Sequence, residues 1–309
     1  MSNSSRKFDV LVAGEINPDL MLSGNITPEF GQVEKIVDNA TLSIGSSCAI
    51  FACGAARLGL RVAFIGKCGD DHFGQFMLEE MQKRNVNVDN VIIESEKRTG
   101  LTVILTSGTD RAILTYLGLI PALRAEEIPD ALLTQSAHLH VASYFLQEAL
   151  QPGLHSLFER ARAKGMTTSL DTNYDPREQW QGVKELLPIT NLFFPNETEV
   201  KSLTHCATID QAANALRGKA EITAIKLGAD GALGVTTTQS IKVDSIPVEV
   251  VDTVGAGDSF AAGFIYGYLN KWELEKSLRL ACVCGALSTR KAGGTEAQPT
   301  LDEACEYVP

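Results

Sequence analysis

From about residue 120 onward, short apolar runs alternate with longer stretches whose apolar positions recur at helical spacing. Ala137–Val141 (AHLHV), Met166–Leu170, Asn191–Phe194 and Ile222–Lys226 predict strands, and residues 148–164 predict a helix between the first two. Near the start, Phe8–Ala13 (FDVLVA) predicts another strand. Alternation of this kind predicts an α/β fold, a mainly parallel sheet covered by helices on both faces. Ligands of such sheets gather at the carboxyl ends of the strands, so polar residues that follow strands are the first candidates for function.

Two stretches read differently. Residues 14–43 and 90–118 hold no helical pattern, and the second reads as a β-hairpin: Leu101–Leu105, a turn over residues 107–110, then Ala112–Tyr116. Residues 1–13, 44–89 and 119–309 are therefore expected to form a main domain, and residues 14–43 and 90–118 a small sheet. Composition leaves open whether that small sheet covers a site as a lid or extends an edge of the main sheet.

With 309 residues and 44% hydrophobic positions, the chain can bury a large α/β core. The net charge of −11 excludes a general nucleic-acid surface, which must be basic, yet permits a single nucleotide held by backbone amides and a metal. No apolar run approaches a membrane span, and the polar start carries no secretory pattern, so the expected compartment is the cytoplasm. The seven cysteines form no CxxC pair and read mostly as small buried hydrophobes. His138 and His140 share one strand face, as a metal pair or as part of a core strand.

The most informative segment is Val251–Phe260, VDTVGAGDSF, which runs into an apolar helical pattern. Gly255, Ala256 and Gly257 at a helix start offer exposed N–H groups and a positive dipole end, the makings of a phosphate cradle. Asp258 then falls in the first turn, where it either takes a proton from an attacking hydroxyl or merely caps the helix.

The whole string resembles the signature of the ribokinase-like carbohydrate kinases, the phosphofructokinase-B family, and the resemblance extends over essentially the whole chain. It implies a ribokinase-like three-layer α/β/α fold with a mainly parallel central sheet and a small β lid. It also implies an ATP-dependent sugar kinase with Asp258 as base and the amides of Gly255, Ala256 and Gly257 as anion hole. Asp252 is implied as a candidate ligand for a monovalent cation such as K+. Gly14–Leu20 (GEINPDL) resembles the family's N-terminal segment, where Asn17 and Asp19 would bind substrate hydroxyls; a ligand-free Asn-Pro-Asp turn is the plainer alternative. Pro195–Glu199 resembles the NxxE motif, through which Asn196 and Glu199 would organise Mg2+ and its waters, while the same residues fit a helix capping box. Lys226–Gly231 resembles the strand-end LGxxG along the nucleotide, with Lys226 and Gly228 as contacts.

One signature departs from the family. Residues 44–59 align with GGxxxNxAxxxxxLG, keeping Gly45, but Ser46 replaces the second glycine and Ile50 the asparagine that normally touches substrate. Gly45 and Ser46 are expected at the substrate, and Ile50 suggests a less polar substrate face. Asn173, after the strand at 166–170, is a further substrate or phosphate candidate, and Asp71 is expected to cap a helix starting near His72. The substrate class is a small sugar, with a nucleoside as runner-up because Ile50 and the surface around Tyr116 tolerate a base. A sugar- or nucleotide-binding regulator and a pyridoxal- or phosphomethylpyrimidine-type kinase are further alternatives. Pairing of lids in this family suggests a homodimer.

Overall fold

The computed structural model describes residues 6–107 and 110–308. In chain order the strands are β1 (Phe8–Ala13), β2 (Pro18–Ser23), β3 (Asn39–Ile44), β4 (Val62–Ile65), β5 (Lys67–Gly69), β6 (Val86–Asn87), β7 (Ile92–Glu94), β8 (Leu101–Ser107), β9 (Asp110–Tyr116), β10 (Ser136–Val141), β11 (Thr167–Leu170), β12 (Leu192–Phe193), β13 (Ile222–Lys226), β14 (Ala232–Val235) and β15 (Ser240–Val243). The α-helices are α1 (Ser47–Arg57), α2 (His72–Lys83), α3 (Asp130–Thr134), α4 (Gln151–Ala163), α5 (Val183–Leu186), α6 (Glu197–Thr204), α7 (Ile209–Leu216), α8 (Ala256–Leu269), α9 (Leu274–Ser288) and α10 (Leu301–Cys305).

Nine strands form the central sheet in the order β15-β14-β13-β12-β11-β10-β1-β4-β6. It is parallel from β13 to β6, and β14 and β15 add an antiparallel edge. Side chains alternate across each strand. On β1, Val10 and Val12 enter the core shared with α1, α8 and α9, while Leu11 and Ala13 enter the core shared with α3, α4 and α7. Both faces are thus dry, which is why the central strands read as nearly unbroken apolar runs. This is the ribokinase-like α/β architecture that the sequence implied.

His138 and His140 belong to that core. The β10–β11 register sets His138 opposite Thr167 and His140 opposite Ser169. His138 Nδ1 lies 2.7 Å from Thr167 Oγ1, and His138 Nε2 and His140 Nδ1 each lie 2.7 Å from Ser169 Oγ. Phe51 stacks on His140, and burial pushes His138 down to about 3, so both rings are neutral core elements and not a metal pair.

A second sheet, ordered β3-β2-β8-β9, is built from the two stretches without helical pattern. β2 pairs antiparallel with β3 and parallel with β8, and β8 and β9 form the hairpin. The expected turn at 107–110 includes positions 108 and 109, which lie outside the described residues. One short strand from the same stretch, β7, leaves this sheet and pairs with β5.

The chain leaves β1 toward β4 on one side and returns through β10 toward β13 on the other, so the order of strands reverses between β1 and β10. At such a reversal the loops diverge and open a crevice at the strands' carboxyl ends. Ser143, just after β10, donates its hydroxyl to Glu15 Oε1, just after β1, at 2.9 Å across that crevice.

Candidate active site

Gly255 caps α8 in the left-handed region, with φ of 73°. A Cβ there would lie 2.7 Å from Ile50 Cγ2 and 2.9 Å from the backbone of Gly294, so only glycine fits. Ala256 N–H turns back onto Thr253 O at 3.3 Å. Among the described residues nothing accepts from the amides of Gly255, Gly257 or Asp258. The donors at this helix start are therefore Gly255, Gly257 and Asp258, with Ala256 engaged in the turn, a change from the expected trio.

Asp258 sits in the first turn of α8, and its Oδ1 accepts a hydrogen bond from Ser47 Oγ at the start of α1. Burial pushes its carboxyl up to about 8, and the neighbouring Asp171 adds to this; the Ser47 hydroxyl and Lys226 oppose it. Lys226, at the end of β13, donates to Asp171 Oδ2 at 2.6 Å and reaches to 3.3 Å from the place a Cβ on Gly257 would take. Asp171, directly after β11, joins these residues through that bond.

Asn196 and Glu199 form the capping box at the start of α6. Asn196 Oδ1 accepts from Glu199 N at 2.9 Å, and Glu199 Oε2 accepts from Asn196 N at 2.8 Å. Burial raises Glu199 to about 7, against the attraction of Lys226. Hard oxygen donors few in number suit a magnesium ion held mainly by phosphate and water. The donor set here, the carboxylates of Glu199 and Asp171 and the Asn196 amide oxygen, fits that chemistry. Among the described residues no group of three or more His, Cys, Asp and Glu side chains forms an all-protein cage.

The second sheet meets the loop before α8 through Arg111 and Thr253. Asn17 Nδ2 donates to Thr102 Oγ1 at 3.2 Å and to Asp19 Oδ1 at 3.4 Å. Burial and the carboxylate of Asp252 push Asp19 up to about 7. Gly45 presses against this pair: a Cβ there would lie 2.1 Å from Asp19 Oδ1 and 2.9 Å from Asn17 O. Ser46 spends its hydroxyl inside the protein, donating to Glu15 O at 2.7 Å while accepting from Ala49 N as the cap of α1. Asn173, left-handed with φ of 54°, donates to Ser47 Oγ at 3.0 Å and accepts from Ser143 N at 3.2 Å.

One expectation about side-chain direction changes. Ile50 is 3% exposed and wedged against Gly255 and Gly294, so it braces the anion-hole loop and is not an open apolar face. Asp252 accepts from Val254 N and Gly293 N, each at 3.0 Å, and Arg111 of β9 lies 3.6 Å from its Oδ1. Arg111 also donates to Thr253 Oγ1. Nothing in the sequence marked Arg111, Ser47 or Glu15, because the contacts described here join positions 30 or more apart.

A cavity of about 640 Å³ opens beside the α8 start, lined by Lys226, Gly228, Ile246, Val248, Gly257 and Ala286 among others. The lining combines apolar side chains such as Ile246, Val248 and Phe260 with the Lys226 side chain and the backbone of Gly257. No helix among the described residues is long and apolar enough to cross a membrane.

A parallel sheet with unpartnered amides at a helix start and a buried carboxylate beside them is an arrangement that phosphoryl transfer can use. The chain belongs to the pfkB family of carbohydrate kinases, whose pattern matches residues 9–301. It is 30% identical to a 5-dehydro-2-deoxygluconokinase of Geobacillus thermodenitrificans, over 87% of this chain and 85% of the relative. It is 31% identical to a 2-dehydro-3-deoxygluconokinase of Bacillus subtilis, over 83% and 84% of the two chains. In fold it superposes on the structure of an E. coli protein in complex with ATP and Mg2+, with a TM-score of 0.86 over 97% and 98% of the chains at 24% identity. It is thus a sugar kinase, a phosphotransferase with an alcohol group as acceptor.

Proposed function

We propose that the chain transfers the γ-phosphoryl group of ATP to a hydroxyl of a small sugar acid, with Asp258 as general base. The observation that carries this is the carboxylate of Asp258 in the same first helical turn as the unpartnered amide of Gly257, which lines the cavity of about 640 Å³. ATP lies in that cavity with its γ-phosphate on the amides. Asn17 and Asp19 grip the sugar from the side of the second sheet. Asp258 takes the hydroxyl proton as that oxygen attacks phosphorus in line, the bond to the bridging oxygen breaks, and ADP leaves. Asn196 and Glu199 would hold magnesium through water, and the bound ion would offset phosphate charge. The second sheet acts as a lid that excludes water from the transfer.

The two relatives named above act on keto-deoxy sugar acids, which favours that substrate class over ribose, fructose or a nucleoside. The outer strand of the second sheet exposes Ile113 and Leu114 at 58% and 61%, which favours pairing of two chains through their lids.

The test is ADP release with ATP and Mg2+ across a panel of keto-deoxy sugar acids, pentoses, hexoses and nucleosides. A sugar acid as the strongest responder supports the reading, and a nucleoside as the strongest responder replaces it. Asp258→Asn should lower kcat by orders of magnitude with ATP still bound, and near-normal turnover would remove Asp258 from the role.

A further inference from the structure

Ser47 and Asn173 lie on opposite walls of the crevice, one at the first position of α1 and one after β11. Ser47 Oγ donates to Asp258 Oδ1 and accepts from Asn173 Nδ2 at 3.0 Å. A hydroxyl has one proton, so the donor role toward Asp258 and the acceptor role toward Asn173 are complementary and fix the direction of both bonds. Asn173 Oδ1 in turn accepts from Ser143 N at 3.2 Å. Both Ser143 and Asn173 hold left-handed backbone, with φ of 50° and 54°. Such strain persists only where the surroundings over-determine it, and here it aims the amide at Ser47.

We propose that Ser47 and Asn173 form a positioning relay that orients the Asp258 carboxylate, engaging Oδ1 and leaving Oδ2 to face the acceptor hydroxyl. Neither residue touches the reacting atoms; Ser47 acts through Asp258, and Asn173 acts through Ser47. The relay rests on the reading of Asp258 as base. It also accounts for the serine that follows Ser46 at the α1 start, since Ser46 spends its own hydroxyl on Glu15 O and the α1 cap.

The charged groups facing Asp258 are Asp171 and Glu15, which raise its proton affinity, and Lys226, which lowers it. Against that fixed background, the Ser47 hydroxyl stabilises the ionised carboxylate. Loss of the relay therefore raises the pH at which Asp258 ionises.

The experiment titrates the ligand-free protein labelled with 13C at aspartate carboxyls, with Asp258→Asn to assign the Asp258 resonance. Ser47→Ala should raise the Asp258 midpoint by about one unit, and Ser47→Thr should restore it. Asn173→Gly, which keeps the left-handed backbone, should move it in the same direction by less. Ser47→Ala combined with Asn173→Gly should shift it no further than Ser47→Ala alone. Folding of each variant is checked by thermal unfolding. An Asp258 midpoint unmoved in folded Ser47→Ala, or moved equally by Ser47→Thr, overturns the relay. Turnover is read separately: Ser47→Ala should lower kcat about tenfold or more with KM for ATP unchanged, and shift the acid limb of its pH profile upward. Undiminished turnover in Asp258→Asn would sink the base reading alone, because the titration does not depend on catalysis.

Discussion

Lys226 and Asp171 form a buried ion pair at the centre of the site, with Nζ 2.6 Å from Oδ2 and side chains 14% and 2% exposed. The pair lies between strand ends 55 positions apart in sequence, and the lysine also faces Glu199 and Asp258. One ammonium thus neutralises part of a field of three carboxyls. Removing one partner of a buried pair leaves the other charge uncompensated.

Lys226→Met should destabilise the ligand-free protein by about 3–5 kcal/mol near neutral pH. The sign with pH follows from the carboxyls left behind. Without the ammonium, Glu199 and Asp258 ionise at higher pH, so at low pH they are protonated and the missing cation matters less. The deficit should be largest at pH 8 and shrink toward pH 5, read by denaturant unfolding. A deficit constant across that range would mean that packing, not charge, is what Lys226 supplies.

Carboxyls held above their ordinary range make the empty site a source of instability as pH rises. Burial raises Asp19 to about 7, Glu199 to about 7 and Asp258 to about 8, against ordinary values of 3.8 and 4.5. The folded state therefore binds more protons than the unfolded one across roughly pH 4 to 8, and stability falls as pH rises through that window. Asp258→Asn is neutral at every pH and escapes its share. It should unfold about 2–5 °C above the parent at pH 8.5, and the gap should close by pH 5. A parent more stable than Asp258→Asn at pH 8.5 would reverse the sign argued here.

Arg111 joins the hairpin of the second sheet to the signature loop through Thr253 Oγ1 and Asp252. It is 35% exposed at the side chain, so the contact adds little to global stability. Arg111→Ala should leave the unfolding temperature within about 2 °C while raising ADP release in the absence of sugar, because a looser lid admits water. Asp252 already has Arg111 and two backbone donors around its carboxylate, so K+ should stimulate the parent by less than about twofold. Strong stimulation by K+ would mean that the cation displaces Arg111.

The sequence exposed those parts of the site that are local in the chain. The strands around 137–141 and 222–226, the Asp71 cap and the Asn196–Glu199 box are each made by neighbours within a few positions, so propensity and spacing reveal them. The helix start with free amides was legible for the same reason, although which amides stay free was not, since Ala256 turns onto Thr253 only once the loop is closed. The Ser47 relay, the direction of Ile50 and the reach of Arg111 depend on contacts more than 100 positions apart. Short strands β5 and β7 escaped for another reason: three residues are too few to show a period.

Ile50 and Gly294 provide the sharpest test of how the signature loop is held. A Cβ on Gly294 would lie 2.5 Å from Ile50 Cδ1 and 2.9 Å from its Cγ1, and both distances are too short to tolerate. Gly294 has no left-handed backbone to maintain, so the obstacle to alanine is Ile50 itself. Gly294→Ala should destabilise by about 1–3 kcal/mol through overpacking, and Ile50→Ala by about 2–5 kcal/mol through the cavity it leaves. In the double variant the new methyl enters the space that Ile50 vacated. Its unfolding free energy should exceed the additive expectation by about 1 kcal/mol or more. The same rescue should appear in kcat if the proposed phosphate site is right, because Ile50 also packs at Gly255 and so sets the start of α8. Strict additivity in both readouts would show that the loop yields freely and that Ile50 does not brace it.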